Sequence, residues 1–109
     1  MANPNHYKAQ AAALDADAAA ALAALPEPIA AAVRRVTASS TLAGTLLAMV
    51  KTSDPKALER HTGFCDGLVF ACWLENKISD ADHADLYRYI ESLNQQRRTA
   101  IEAAAGGAI

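Results

Sequence analysis

The chain predicts an all-α fold, a compact antiparallel four-helix bundle built as a single domain over residues 1–109. Three observations lead there. Apolar residues recur at intervals of three and four along four long stretches, which is the period of an amphipathic helix and not of a strand. About a quarter of the residues are alanine, the best helix former. Each stretch is bounded by Pro, Asn, Ser, Asp or Gly where a helix starts or stops. The connections are short, and short connections between long helices favour antiparallel neighbours. The same pattern also fits a pair of helical hairpins that completes its core by dimerising.

The first helix is predicted over about 4–25. Asn3 can cap it, and Pro4 suits the first helical position because its missing N–H is not needed there. Tyr7, Leu14, Leu22 and Leu25 form the inner stripe, with Ala11 and Ala18 between them. Pro26-Glu27-Pro28 then breaks the chain, since proline removes a donor and restricts its predecessor. The second helix is predicted over about 28–51, with Ile29, Val33, Val36, Ala43, Leu47 and Val50 inward and Leu42, Leu46 and Met49 widening the apolar arc. Its weak point is Ser39-Ser40-Thr41, where the helix can kink or break because these hydroxyls compete for backbone hydrogen bonds.

Ser53-Asp54-Pro55 stops that helix and starts the third, over about 55–75. Leu58, His61, Cys65, Leu68, Val69 and Cys72 share its inner face, and Asn76 can end it in a left-handed conformation. Ser79 caps the fourth helix, over about 80–104, with Asp82 in the place of the reciprocal capping-box residue. Leu86, Ile90, Leu93 and Ile101 form its inner stripe. Arg97 lies on the same stripe, where it can reach the bundle end or pair with Asp15 or Asp17.

Composition narrows the function classes. The formal net charge is −2, which argues against nonspecific attraction to nucleic acid or anionic lipid. Aromatic residues are only 6% of the chain, so the core is mostly aliphatic. No basic segment followed by an apolar core opens the sequence, and the longest run of large apolar residues, Gly67 to Leu74, is too short to span a bilayer. With two cysteines only, these features fit a cytoplasmic protein.

No nucleophile elbow, paired zinc-histidine motif, dinucleotide fingerprint or P-loop is present, so no enzymatic activity is expected. His61, Cys65 and Cys72 invite a metal reading, but the two thiols are seven residues apart, about 10.5 Å along a helix axis. That is too far for two thiolates on one zinc or for a disulfide. No catalytic, metal or cofactor-binding residue is therefore assigned.

Gly63 and Gly67 are the sharper oddity, since each costs about 1 kcal/mol of helix stability relative to alanine. They lie opposite the Leu58–Cys65–Val69 face, near Phe70 and Leu74. Either they let a neighbouring backbone approach, with Ser40, Gly44 and Ala48 as the matching line, or they form with Phe70 and Leu74 an exposed apolar patch for a partner. On the first helix, Ala12, Ala16, Ala19, Ala20 and Ala23 cover the face opposite the leucines. Such a face loses almost no side-chain entropy on docking.

The stretch from Ala71 to Ile90 resembles a helix-turn-helix, with Ala71, Leu74, Ile78 and Leu86 at packing positions, which implies a DNA-binding regulator. Against this, the would-be recognition helix opens with Asp80, Asp82 and Asp85, which phosphates repel, and its turn lacks glycine. The expected function is a non-catalytic protein-binding module, an adaptor, inhibitor or regulator of a larger assembly. Phage- and plasmid-type accessory inhibitors of host defence complexes belong to that population. The expected partner is a protein rather than nucleic acid or membrane, the chain a monomer or homodimer. The expected contacts are Gly63, Gly67, Phe70 and Leu74, with Ala12, Ala16, Ala19 and Ala23.

Overall fold

Proline and cap residues cut the chain into helices where the sequence predicts, with one additional break. The computed structural model describes residues 4–106, except for the side chains of Pro4, His6, Tyr7 and residues 11–15. The described residues form five helices and no strand: α1 (Pro4–Ala23), α2 (Glu27–Arg34), α3 (Ser39–Lys51), α4 (Pro55–Leu74) and α5 (Asp80–Gly106). The all-α prediction holds. The expected Asn3 cap and the Tyr7, Ala11 and Leu14 part of the first stripe lie outside the described residues. Ala18 and Ala21 are buried, and Leu22 and Leu25 pack half-buried against the core.

The single second helix predicted over 28–51 is corrected to two. The break falls at residues 35–38, just before the serine pair, which instead opens α3. Bonds from Arg35 N to Ala32 O and from Val36 N to Val33 O tighten the last turn of α2 and close it. Tertiary contacts favour the break. Val36 is buried, and Arg35 turns to α5, donating from Nε and Nη2 to the two carboxylate oxygens of Asp82 at 2.7 and 2.8 Å. The break resets the helical phase. Val50, expected inside, is 46% exposed, whereas Leu42, Leu46 and Met49 sit fully in the core.

The remaining boundaries follow cap chemistry. Asp54 accepts from the backbone N–H of Lys56 at 3.1 Å and starts α4. Asn76, at φ 58°, ends it. The N–H groups of Asn76 and Lys77 reach back to the carbonyls of Trp73 and Cys72, a Schellman closure. Ser79 Oγ accepts from Asp82 N at 3.0 Å and caps α5. The Asp82 carboxylate, in the capping-box position, takes both guanidinium bonds of Arg35, and the Ser79 backbone also helps hold its pKa down.

α3, α4 and α5 pack on one another, α2 packs on α3 and α5, and α1 rests on α2 and α3. The centre is aliphatic: Val33, Leu42, Leu46, Met49, Leu58, Val69, Leu86 and Ile90, with Cys65 among them. One polar chain crosses it. Thr62 Oγ1 donates to Leu58 O, Asn94 Nδ2 donates to Thr62 Oγ1 at 2.8 Å, and Arg98 donates to Asn94 Oδ1. Arg97 does not pair with Asp17, and the Asp15 side chain lies outside the described residues. Arg97 Nε donates to Thr52 O at 2.6 Å, which satisfies a carbonyl just past the C-terminus of α3.

Candidate protein-docking face

The inner face of α4 is fixed by Leu58, Thr62, Cys65, Val69 and Cys72, all buried. At 3.6 residues per turn, that assignment leaves Gly63, Phe64, Gly67, Phe70, Ala71 and Leu74 on the outside. All six are exposed. Phe64 and Phe70 are each 49% exposed and Leu74 is 60% exposed, so the α4 residues expected to contact a partner do reach the surface.

Among the described residues nothing outside their own helix backbone crowds the glycines. A Cβ added at Gly63, Gly67 or Gly44 would meet nothing within 4 Å. This corrects the expectation that Gly63 and Gly67 admit a neighbouring backbone against a small-residue line at Ser40, Gly44 and Ala48. Their weakening of the helix is not repaid by packing within the protomer.

α5 supplies a second wall. Leu86 and Ile90 point inward, which sets His83 and Tyr87, four residues apart, on the flank beside α4. His83 stacks on Trp73 with ring centroids 4.6 Å apart and planes 10° apart. Phe70 leans on both, at 5.9 Å from Trp73 and 6.4 Å from His83. Trp73 Nε1 donates to Asp80 Oδ1 at 2.7 Å and pins the cluster across the α4–α5 turn. The result is a mostly apolar groove lined by Asp66, Gly67, Phe70, His83 and Tyr87.

Asp66 is the charged group of that groove. Its Oδ1 is sealed from solvent without a hydrogen-bond partner. Burial, and then the nearby Glu91 carboxylate, push its pKa up to about 6. Cys65 lies beneath in the core, and burial pushes its thiol up to about 12, which keeps it protonated and unreactive. Among the described residues no three His, Cys, Asp or Glu side chains converge as metal ligands. The acidic start of α5 is engaged internally, Asp80 by Trp73, Asp82 by Arg35 and Asp85 by Arg88.

The helix-turn-helix packing positions divide: Ile78 and Leu86 are buried, while Ala71 and Leu74 face solvent. The alanine face of α1 is exposed at Ala16, Ala19 and Ala23, and Ala12 lies outside the described side chains. Among the described residues α1 does not touch α4, so the two expected contact patches are not brought together. Sequence reasoning missed Phe64, Trp73, His83 and Tyr87 as members of this face. The signal for Tyr87 and His83 was their place one step round from the Leu86–Ile90 stripe. For Trp73 and His83 together it was the tight Asn76–Ser79 turn, which brings the end of α4 against the start of α5.

No family model, curated protein or solved structure matches the chain. No described helix is long and apolar enough to cross a membrane.

Proposed function

We propose that this chain is a non-catalytic protein-binding module, an adaptor, inhibitor or regulator that acts by covering part of a larger protein assembly. Accessory inhibitors of host defence complexes, of the kind carried by phages and plasmids, work in this way. The observation that carries the reading is the exposed face of α4, where Phe64, Phe70 and Leu74 flank Gly63 and Gly67. Large apolar side chains grouped on one surface mark interaction sites more often than isolated ones do. Aromatic anchors beside a shallow groove supply contact area at low entropic cost. The stacked Trp73–His83 pair and its Asp80 hydrogen bond hold one wall in place before a partner arrives. The exposed alanines of α1, Ala16, Ala19 and Ala23, offer a secondary, flatter contact. The reading is of a cytoplasmic protein, in which the buried Cys65 and Cys72 stay reduced.

The test is capture from host lysate with the wild-type chain and with Phe70→Glu and Leu74→Glu. Both positions are exposed, so each variant should keep its helical circular dichroism and lose the captured protein. Capture that survives both substitutions would move the contact elsewhere.

A further inference from the structure

Resting on the docking face just described, we propose that a second copy of this chain occupies it, with α4 crossing α4 of the partner in antiparallel fashion at Gly67. The residues nearest Gly67 mirror one another, aromatic against aromatic and small against small, while the outermost pair differs. Phe64 and Phe70 lie three before and three after it, Gly63 and Ala71 four before and four after, and Arg60 and Leu74 seven before and seven after. On a helix these seven residues fall within an arc of about 120° centred on Gly67. Every one of them is exposed. A two-fold interface requires one patch to be complementary to itself, with residue i meeting j and j meeting i. The centre of this face, which alternates large and small residues alike on both sides of Gly67, satisfies this when its copy runs the opposite way.

The geometry of that crossing matches large residues to small ones. With the two-fold axis at Gly67, each Phe70 comes over Gly63 of the other copy, and each Phe64 comes over Ala71. The ring and its seat differ in height by only about 1.5 Å along the axis. No side chain separates the backbones at the centre. This gives the open Gly63 and Gly67 a role that nothing among the described residues supplies. Charge matches as well. Arg60 and Glu75, both exposed, come to the same end and the same side of the crossing, opposite in sign, and the symmetry makes the pair twice. The Arg60 stem lies along Leu74 of the other copy. One helix-on-helix contact is smaller than the roughly 800 Å² per partner of a standard interface, so the pair is a reversible one whose population depends on concentration.

Sedimentation velocity over a range of concentrations tests this with the full chain. The wild type should move from monomer to dimer. Gly67→Leu places a good helix former where a side chain meets nothing in the protomer, so the variant should fold and melt no lower. Its association should weaken by at least about thirtyfold, the loss typical of a blocked interface centre. Phe64→Glu should do the same. Arg60→Glu and Glu75→Arg should each weaken dimerisation several-fold, and a mixture of the two single variants should associate better than either alone. That rescue in trans is specific to an antiparallel pairing of two copies. A chain that stays monomeric at every concentration, or a dimer indifferent to Gly67→Leu and Phe64→Glu, overturns the proposal. If the monomeric chain still captures a different protein through Phe70 and Leu74, the docking face stands and only its occupant changes. If neither association nor capture responds to these residues, both readings fall.

Discussion

Replacing Gly63 and Gly67 by alanine should make this protein more stable and less able to bind. Both positions lie inside α4, both are exposed, and a Cβ at either meets nothing within 4 Å. Neither adopts a positive φ, so alanine fits the backbone without strain. The helix-propensity difference is about 1 kcal/mol per site. The new methyl groups sit one turn apart without clashing, so the double variant should gain about 2 kcal/mol. For a domain of this size that raises the melting temperature by roughly 8 °C, taking about 4 °C per kcal/mol. Thermal melts followed by circular dichroism, with urea unfolding as a second measure, read the gain. They are run at low protein concentration so that self-association does not contribute. Gly44→Ala on α3 is the control, since its site is equally open but lies off the α4 face. It should gain about 1 kcal/mol and leave binding unchanged. A loss of stability in the double variant would refute the reasoning, because it would mean that something in the protomer occupies the space beside the glycines. A gain without any effect on association or capture would separate the glycines from the docking face.

Other outcomes follow from the polar groups. The Asp66 carboxyl has a folded-state pKa raised to about 6, so its protonated form favours the fold and that contribution is lost as pH rises through about 6. Asp66→Asn should therefore match the wild type near pH 4 and exceed it near pH 8. Raising a carboxyl from its ordinary value near 4 to about 6 corresponds to nearly 3 kcal/mol, and solvent screening of this half-buried residue reduces the expected gap to about 1 kcal/mol. Urea titrations at the two pH values check it. Arg35 lowers the Asp82 pKa, so that pair stabilises the fold above the carboxylate range and stops doing so as pH falls through the depressed value. Asp82→Asn should speed hydrogen exchange in α2 at neutral pH, and the difference from wild type should shrink in acid. Asn94→Ala should cost about 1–3 kcal/mol by cutting the buried link between Thr62 and Arg98, read as a lower urea midpoint.

Local chemistry made most of the fold legible. Pro55 after Asp54, Asn76, and Ser79 before Asp80 each set a boundary through backbone hydrogen bonds within a few residues, and these boundaries stand where the letters put them. The break at residues 35–38 was legible only in part: Ser39-Ser40-Thr41 marked the weak point, but not where the helix ends. Nothing in Arg35-Val36-Thr37-Ala38 is a strong helix breaker, and the contacts made there, such as the Arg35–Asp82 pair, reach a residue 47 positions away. Because the break shifts the phase of everything after it, Val50 moved outward while Leu42, Leu46 and Met49 became central. Arg97 behaved similarly, since the letters mark a charged residue on an inner stripe but not the carbonyl of Thr52 that receives it. On the docking face, Gly67, Phe70 and Leu74 were readable from the wheel of one helix. His83 and Tyr87 needed the position of a second helix, which periodicity within α5 alone does not supply.

A folded chain gains most when local preference and tertiary environment agree, and departures from that agreement concentrate where another requirement applies. In α4 the departure is confined to one side. The inner residues Leu58, Cys65 and Val69 are almost fully buried and consistent with a helix at every step. The outer side carries two helix-weakening glycines, two half-exposed phenylalanines and an exposed leucine within three turns. The folded protomer draws only the partial packing of Phe70 on Trp73 and His83 from that combination, while alanine in place of the glycines would stabilise the helix. A surface that needs close backbone approach at its centre and aromatic contact at its edges requires both features together. The asymmetry between the two sides of one helix is thus the strongest physical reason to seek the function of this chain on α4.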